Sequence, residues 1–329
     1  MTPRPRVSVA LCTHNGARFV VEQVRSILEQ SEPPSQVVIS DDASTDDTVA
    51  LVEGLWASLT PDRAPELLIL RNAVALGVTR NFQQAAEACT GDLVALCDQD
   101  DIWRPERLER MVDVFETSPD LGLLFTDARL IDATGTDLGL SLFDALEVRD
   151  ADLEEIRRGD AFGVLLRRNL VTGATVVFRR TLLDSASPFD PAWVHDEWLA
   201  ILAAAVSRVD WLHDSLIGYR QHGGNQIGVA APNLRYKVAR VFEPRGDRYT
   251  GLAGRAGHLL QRLEVLAAVP PVLDAARAKL LHQERRAQLP AARPARVIPV
   301  LREAATGRYR RFSSQGNLDI LRDLLGPHA

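Results

Sequence analysis

The sequence predicts an α/β fold, a mostly parallel sheet flanked by helices, followed by a helical C-terminal extension. Within about the first hundred residues, short apolar runs alternate with segments of helical spacing, and such alternation is typical of a parallel sheet with crossover helices. After residue 228 the chain changes to long segments rich in Arg, Ala and Leu, which prolines interrupt. We therefore expect two domains, residues 1–228 and residues 229–329.

The first half of the α/β domain alternates regularly. Short apolar runs predict strands at residues 7–12, 36–40, 66–70 and 93–97. Apolar residues at helical spacing predict helices at residues 18–30, from Ser44 or Thr45 onward, and at residues 77–89. Ser44 or Thr45 would cap the second helix, with Asp46 and Asp47 in its first turn.

The second half of this domain is less regular. Its pattern predicts helices at residues 105–116 and 195–207, and strands or extended segments at residues 121–131, 173–178, 208–212 and 215–219. Residues 141–170 are highly charged, and we expect helices with loops there.

An apolar run, Leu93 to Cys97, leads directly into three carboxylates, Asp98, Asp100 and Asp101. In open α/β sheets ligands bind at the C-terminal edge, where these side chains would lie. Three like charges so close together repel one another, and burial would increase the repulsion. A hard divalent cation, Mg²⁺ or Mn²⁺ carrying a substrate phosphate, would relieve it. The alternative is a solvated acidic loop in which Asp101 caps the next helix.

Polar side chains also follow the first two strands, as Thr13-His14-Asn15 and Asp41-Asp42. A flat ligand lying across these two strand ends would place its phosphates at the third. Asp41 would accept a hydrogen bond from a base or sugar edge, Asp98 would bind a ribose hydroxyl, and Asp100 would bind a metal. Neither G-x-G-x-x-G after the first strand nor G-x-x-x-x-G-K-[ST] occurs, so a metal is the expected partner of a diphosphate. Alternatively, Asp41 and Asp42 cap the following helix.

An ordered set of motifs resembles the inverting GT-A glycosyltransferases of family 2 over residues 6–228. The motifs are Cys12 to Gly16 (CTHNG), Val38 to Asp46 (VISDDASTD), Asn81-Phe82, Gly91-Asp92, Cys97 to Trp103 (CDQDDIW), His195 to Trp198 (HDEW) and Tyr219 to Asn225 (YRQHGGN). The Asp-Gln-Asp-Asp-x-Trp form together with Tyr-Arg-Gln-His is similar to a bacterial rhamnosyltransferase-like branch. The resemblance implies a Rossmann-like GT-A fold.

The resemblance assigns five residues to the nucleotide sugar. Thr13 and Asp41 would contact the base, and Asn15 lies in the same motif as Thr13. Asp98 would hold the ribose. Arg220, in a loop that would fold over the diphosphate, would contact the diphosphate oxygens.

The resemblance also implies a metal and a general base. Asp100 would ligate Mn²⁺ or Mg²⁺ at the diphosphate, with Asp101 and His222 as further ligands. Asp196 occupies the position of the general base. Glu197 is the alternative base, because a histidine precedes Asp196 where the family more usually has Glu.

The implied reaction is inverting, metal-dependent transfer of a single sugar from a nucleoside-diphosphate donor to a hydroxyl of a cell-surface glycan or a lipid-linked acceptor. The favoured donor is dTDP-rhamnose, and the alternative is a UDP-hexose. The Gln-x-x-Arg-Trp motif of processive synthases is absent, which implies single addition. Two other hypotheses are a nucleotidyltransferase, which the single Gly and single Arg of residues 13–18 disfavour, and a sugar-nucleotide-binding module that has lost catalysis.

Cysteine usage and hydropathy predict a cytoplasmic protein. Three cysteines without a Cys-x-x-Cys pair favour a reducing compartment, with Cys12 and Cys97 as buried thiols. The apolar run after Arg6 is too short for a signal peptide, and no stretch approaches the ~20 apolar residues of a membrane span.

Charge is unevenly distributed along the chain. Residues 230–329 hold 18 Lys and Arg against 8 Asp and Glu, a net charge of +10, whereas the whole chain carries −6. This basic region would either pack on the acidic remainder, at the interface of a homodimer, or contact an anionic membrane surface from the cytoplasmic side. The dispersed arginines favour packing, and the lack of interleaved aromatic residues disfavours nucleic-acid binding.

Overall fold

The computed structural model describes residues 4–60, 64–223 and 247–327. These residues form two compact units. The first contains residues 4–60, 64–159, 171–203 and 207–223, and the second contains residues 160–170, 204–206 and 247–327. The predicted domain boundary, between residues 228 and 229, lies outside the described residues and stays a prediction.

A nine-stranded sheet forms the centre of the first unit. Its strands are β1 Val7–Thr13, β2 Gln36–Asp41, β3 Glu66–Arg71, β4 Leu93–Cys97, β5 Ile102–Trp103, β6 Leu121–Ile131, β7 Asp137–Ser141, β8 Val177–Arg179 and β9 Arg208–Arg220. Their order is β3-β2-β1-β4-β8-β6-β9-β5, with β7 paired to β6 off this path. The first four strands pair in parallel, as predicted, and β6 pairs in parallel with β9, whereas β5, β7 and β8 join antiparallel.

Helices connect these strands. They are α1 Val20–Leu28, α2 Thr48–Ala57, α3 Val78–Glu87, α4 Arg107–Thr117, α5 Leu142–Ala145, α6 Asp150–Arg157, α7 Ala161–Arg167, α8 Leu183–Ala186 and α9 His195–Val206. Every residue of β2 and β4 is buried, as expected for parallel strands covered on both faces. Helix α1 contributes Val20, Val24 and Ile27 to the same apolar cluster, so the core lies between the helices and the sheet.

The predicted N-cap of the second helix, Ser44 or Thr45, is wrong by two or three residues, because Asp47 occupies that position. Helix α2 begins at Thr48, and the Asp46 carboxylate accepts the Thr48 backbone N–H at 3.1 Å. Ser44 and Thr45 are instead engaged by the neighbouring loops. The Ser44 hydroxyl donates to Asp41, and the Thr45 N–H donates to Asn15 Oδ1. Contacts between the strand ends therefore override the local capping preference.

Two carboxylates proposed as helix caps have other roles. Asp42 Oδ1 and Oδ2 accept the backbone N–H groups of Leu76 and Gly77 at 2.6 and 2.9 Å, so Asp42 fixes the start of α3 rather than the helix that follows it. Asp101 does not cap α4. Strand β5 follows Asp101 directly and pairs with β9, so that α4 begins only at Arg107.

The backbone departs from the predicted extended segments at two places. Residues 173–178 were expected to form one strand, but Gly173–Thr175 form a 3₁₀ turn, in which the Val176 N–H donates to the Gly173 carbonyl, before β8 begins. The extended segments 208–212 and 215–219 are one strand, β9. The register against β6 shifts between Leu212 and Ser215, so a bulge accommodates the intervening polar residues.

The second unit is helical, which confirms the predicted C-terminal helices. Its described helices include α7 and also α10 Arg248–Val265, α11 Pro270–Ala287, α12 Arg293–Ala305, α13 Arg308–Phe312 and α14 Leu318–Leu325. None of the helices in the described ranges is both long and apolar enough to span a bilayer.

A buried polar cluster around Asp323 joins four helices of this unit. The Asp323 carboxylate accepts the Tyr249 and Tyr309 hydroxyls, each at 2.7 Å, and Nε of Arg286 at 2.7 Å. Burial alone would raise the pKa of Asp323, but the Arg286 charge and these hydrogen bonds hold it below its usual value. Asp323 therefore stabilises the fold as an anion.

Replacing Asp323 by Asn is expected to destabilise the helical unit by about 3 kcal/mol, because the buried Arg286 would lose the nearer of its two carboxylates and keep only Asp319, at 3.7 Å. The native stabilisation should be fully present above the unfolded pKa of Asp and should be lost as the pH falls through the lower folded pKa. Urea denaturation followed by circular dichroism measures both effects. Asp274→Asn is the control, since that carboxylate is 75% exposed and its pair with Arg277 is long, at 3.5 Å; little change is expected there.

Candidate active site

Three loops follow the C-terminal ends of β1, β2 and β4, at one edge of the sheet. The register pairs Thr13 with Asp41 across β1 and β2, and Leu11 with Cys97 across β1 and β4. Asp98, which follows Cys97, is therefore level with Cys12, the residue before Thr13. This edge is where open α/β sheets bind ligands.

The first two loops are joined by direct hydrogen bonds. The Thr13 hydroxyl donates to Asp41 Oδ1 at 2.7 Å, and the Ser44 N–H and hydroxyl donate to the same carboxylate at 2.9 and 2.6 Å. Asn15 Oδ1 accepts the Thr45 N–H at 2.8 Å. The structure thus brings Thr13, Asn15 and Asp41 together, as the sequence predicted. Cys12, expected to be buried, is only partly buried in this loop region.

Gln99 connects the third loop to the first, which the sequence reasoning missed. Its Oε1 accepts the His14 N–H at 2.9 Å, and its Nε2 donates to the His14 carbonyl at 3.1 Å. A Cβ at Gly16 would lie 2.1 Å from Gln99 Oε1, so the amide fits only because residue 16 is glycine. Two features of the sequence could have indicated this contact: Gly16 in the CTHNG motif, and Gln99 between Asp98 and Asp100.

Gly16→Ala is expected to displace the Gln99 amide and lower the free energy of unfolding by about 1 kcal/mol, because its two partly exposed hydrogen bonds to His14 would be lost. Differential scanning calorimetry measures the change. Gly54→Ala is the matched control: Gly54 lies in α2 with nothing within 4 Å of its added Cβ, and alanine there should stabilise the helix. In a protein that already carries Gln99→Ala, adding Gly16→Ala should lower the free energy of unfolding by almost nothing more. If the two losses were additive, the contact between residue 16 and the Gln99 amide would be contradicted.

The aspartates of the third loop differ in their surroundings. Burial, and then the charges of Asp100 and Asp196, raises the pKa of Asp98 to about 7. Asp101 is 1% exposed, and burial followed by the charges of Asp100 and Asp98 raises its pKa well above the usual value. Arg107 lies close enough that its charge opposes that shift. The loop thus concentrates negative charge, which a cation would stabilise.

Arg220 stabilises this loop by donating hydrogen bonds to it. Its backbone N–H donates to Asp101 Oδ1 at 2.9 Å, its Nε to the Asp100 carbonyl at 2.6 Å, and its Nη2 to Glu22 Oε2 at 2.6 Å. The side chain is 1% exposed. The structure therefore places Arg220 among protein oxygens at the base of the loop, and its contact with a diphosphate stays a prediction.

Asp100 and His222 form the pair best suited to a divalent cation. His222 Nε2 lies 2.7 Å from Asp100 Oδ2, and each side chain is 15% exposed. Asp101 is 1% exposed and its Oδ1 accepts the Arg220 backbone N–H, and its part as a further ligand stays a prediction. No preformed cluster of three His, Cys, Asp or Glu ligands occurs among residues 4–60, 64–223 and 247–327. Phosphate oxygens and water would have to complete the coordination, as is usual for Mg²⁺. Gly224 and Asn225, from the same motif, lie outside the described residues.

Asp196 lies at the start of α9, near Asp98. Its Oδ2 accepts the Gly173 N–H at 2.9 Å and its Oδ1 accepts the Glu197 N–H at 2.6 Å. The charge of Asp196 is one of the causes of the raised pKa of Asp98, which brings the predicted base and the predicted ribose contact into one site. Glu197 is not among those causes.

Two neighbours of Asp196 were not predicted. Gly173 belongs to the 3₁₀ turn before β8, and a Cβ there would lie 2.7 Å from His195 Nε2. Nothing in the sequence around Gly173 indicated this contact. Tyr219 is 7% exposed, and burial, followed by the charges of Asp98, Asp101, Asp100 and Asp196, raises its pKa above the usual value. The sequence could have indicated Tyr219 through its position in the YRQH motif.

His195 is a packing residue. Its ring stacks on Phe82 at a centroid distance of 3.8 Å, and the side chain is 5% exposed. Burial lowers the pKa of His195 to about 3, so the ring is neutral at physiological pH. A group with so low a pKa is a poor proton acceptor, which leaves Asp196 and Glu197 as the candidate bases.

Residues 8–139 match the family model for glycosyl transferase family 2. The chain contains a glycosyltransferase family 2 domain. It is therefore a glycosyltransferase, as the sequence predicted, and the predicted GT-A fold is confirmed. The matched segment includes the first three strand-end loops, with Thr13, Asp41, Asp98 and Asp100.

Two curated relatives share sequence with more than this segment. An uncharacterized glycosyltransferase, alr2836, from Nostoc sp. is 28% identical over 234 residues, 69% of this chain and 68% of the relative. The dTDP-rhamnosyl transferase RfbG of Shigella flexneri is 24% identical over 243 residues, 69% of this chain and 76% of the relative. Both matches extend well beyond the 132 residues of the family 2 domain model.

Solved structures with the same fold include two nucleotide-sugar complexes. S. aureus TarS 1–349 in complex with UDP-GlcNAc has a TM-score of 0.61 and 17% identity, and the match covers 97% of this chain and 90% of that TarS fragment. The mannosyltransferase PcManGT from Pyrobaculum calidifontis, in complex with GDP-Man and Mn²⁺, has a TM-score of 0.53 and 23% identity over 93% of this chain and 77% of that structure. At these identities the likeness establishes the fold of the family 2 domain.

Proposed function

We propose that this glycosyltransferase moves a single sugar, with inversion, from a nucleoside-diphosphate donor to a hydroxyl group of a glycan or lipid-linked acceptor. The observation that carries the proposal is the position of Asp196. It lies close enough to Asp98 for its charge to raise the Asp98 pKa. A carboxylate is thereby held beside the loop that would bind the donor.

The donor would lie across the three strand-end loops. Thr13, Asn15 and Asp41 form the connected group that would face the base, and Asp98 would accept a ribose hydroxyl. Gln99 fixes the distance between these groups through its two hydrogen bonds to His14. The diphosphate would then reach Asp100 and His222.

Asp100 and His222 would hold Mn²⁺ or Mg²⁺ at the diphosphate. The ion would supply Lewis-acid stabilisation of the departing nucleoside diphosphate. The charge of the loop supports this proposal, because three carboxylates within four positions favour a bound cation. The PcManGT complex contains Mn²⁺, which supports the same choice for this chain.

Asp196 would accept the proton of the attacking hydroxyl. Two backbone N–H groups, from Gly173 and Glu197, orient its carboxylate. Such a base must lie within hydrogen-bond reach of the acceptor hydroxyl. The hydroxyl would then attack C1 on the face opposite the leaving group, which inverts the anomeric configuration.

Rhamnose from dTDP-rhamnose is the favoured donor sugar. The similarity to the dTDP-rhamnosyl transferase RfbG supports it, together with the Asp-Gln-Asp-Asp-x-Trp and Tyr-Arg-Gln-His motifs. A UDP-hexose is the alternative, which the UDP-GlcNAc complex of TarS supports. We place the reaction in the cytoplasm, in the synthesis of a surface polysaccharide.

Donor turnover tests this proposal. The full-length protein is incubated with Mn²⁺ and, in turn, with dTDP-rhamnose, UDP-glucose, UDP-galactose, UDP-GlcNAc, UDP-GalNAc and GDP-mannose, and release of the nucleoside diphosphate is measured. We expect slow hydrolysis of one donor without acceptor, with dTDP-rhamnose preferred and EDTA inhibitory. If one donor binds but none is ever turned over, with or without glycan acceptors, the chain is a binding module and the catalytic proposal is wrong.

A further inference from the structure

Helix α12 of the helical unit carries a row of exposed aliphatic side chains. Val297, Ile298 and Leu301 are 42%, 62% and 55% exposed. Their spacing places them on one face of the helix, while Val300 and Arg296, on the other side, are fully buried. Single exposed aliphatic residues are common, but a contiguous apolar face marks an interaction surface.

Two arginines border this aliphatic face. Arg293 precedes Val297 by one helical turn and Arg302 follows Ile298 by one turn, so they lie at the two sides of the row. Both are exposed, and neither forms an ion pair with any residue in the described ranges. By contrast, Arg285 is paired with Glu303 at 2.7 Å. The two bordering charges are therefore available to an anionic partner.

A cavity of about 440 Å³ opens beside the same helix. Its lining includes Arg285, Gln288 and Arg302, which present guanidinium and amide groups, whereas the hydroxyl of Tyr309, also in the lining, donates to Asp323. Glu303 also lines it, but its carboxylate is engaged by Arg285 and by His282 at 2.7 and 2.8 Å. The cavity thus offers hydrogen-bond donors at the edge of the aliphatic face, where a phosphate group would be bound.

We propose that this face of α12 docks on a bilayer containing anionic phospholipid. Val297, Ile298 and Leu301 enter the boundary between headgroups and acyl chains, and Arg302 binds a headgroup phosphate at the mouth of the cavity. An apolar row bordered by arginines is the pattern of interfacial helices. The inference rests on the proposed function, because a bilayer is where a lipid-linked acceptor would be found.

Charge favours a bilayer over a second copy of the chain. A two-fold pairing of two α12 faces would place the bordering arginines of both copies around one small apolar contact, and no carboxylate on this face would compensate them. An anionic bilayer supplies that compensation, worth about 1 kcal/mol for each arginine near its surface.

Vesicle sedimentation with the full-length protein tests the apolar part. Vesicles of equimolar phosphatidylcholine and phosphatidylglycerol are compared with vesicles of phosphatidylcholine alone. We expect binding to the anionic vesicles only, weakened at least tenfold by Ile298→Gln/Leu301→Gln. The control is Val265→Gln/Val269→Gln, which changes side chains that are 76% and 58% exposed outside this face and should bind normally.

The charge contribution is tested with Arg302→Gln, which should weaken anionic-vesicle binding about fivefold, the factor that corresponds to ~1 kcal/mol. Arg277→Gln is the control, since Arg277 is paired with Glu264 at 3.0 Å. Absent binding, equal binding to both vesicle types, or an unaffected α12 variant would overturn the proposal. A dimer that the α12 double variant dissociates, seen by analytical ultracentrifugation, would assign the face to self-association instead. Donor hydrolysis by the α12 variants should equal wild type, so a failure here is separable from a failure of the transferase proposal.

Discussion

Replacing Asp196 by Asn is expected to lower kcat by about 10²–10⁴-fold, the usual contribution of a general base. Asn keeps the size of the side chain and can still accept the Gly173 N–H, which Asp196 binds at 2.9 Å. The start of α9 should therefore be undisturbed. Donor affinity, measured by calorimetry, should stay within about twofold of wild type, because Asn cannot accept the proton but leaves the donor loops intact.

Glu197→Gln is the matched control for this variant. Glu197 is the neighbouring carboxylate on the same helix turn, and it does not contribute to the raised pKa of Asp98. Its replacement should change kcat by less than about threefold. A large loss in Glu197→Gln with a small loss in Asp196→Asn would transfer the role of base to Glu197. Equal small losses in both would contradict a carboxylate base on α9.

Replacing Asp100 by Asn is expected to reduce kcat/KM by roughly 10²–10³-fold, because metal stabilisation of a leaving diphosphate contributes several kcal/mol. Asp100 lies 2.7 Å from His222 Nε2, so the variant removes one of the two partly buried ligands of the proposed cation. Steady-state release of nucleoside diphosphate over a range of Mn²⁺ concentrations measures the effect. The Mn²⁺ requirement should shift to higher concentration, and His222→Gln should act in the same direction.

Asp137→Asn is the control for Asp100. Asp137 is a half-exposed carboxylate in β7, paired with Arg129 at 3.2 Å on the surface of the same unit, and its replacement should leave both the rate and the Mn²⁺ dependence unchanged. Activity that persists in EDTA and is insensitive to Asp100→Asn would contradict the metal assignment. The strand-end loop would then bind the diphosphate through hydrogen bonds alone.

The parallel half of the sheet could be predicted because local pattern and final environment agree. Strands such as β4 are continuous apolar runs, and every residue of β4 is buried. The chain direction of parallel strands then places Thr13, Asp41 and Asp98 at one edge without further information. The hydrogen bond from Thr13 to Asp41 fits that expectation, and so does the proximity of Asp196 to Asp98.

The features that could not be predicted depend on contacts between distant residues. The 3₁₀ turn at Gly173 could not be recognised from local sequence, because the Gly173 N–H donates to Asp196, which is distant along the chain. Helix α7 lies within the α/β sequence but clusters with the C-terminal helices. Arg220 was expected at a ligand, but its position is determined by oxygens of Asp100, Asp132 and Glu22, which no local pattern relates to it.

The most direct test is calorimetric titration of the full-length protein with dTDP, UDP and GDP, in Mn²⁺ and again in EDTA. The proposed site requires that one of these nucleoside diphosphates bind in Mn²⁺, with dTDP preferred, and that EDTA weaken the binding. The same titration with Asp100→Asn should resemble wild type in EDTA. If none of the three binds in either condition, the aspartates at the strand ends serve only to connect the loops, and the proposed donor site is wrong.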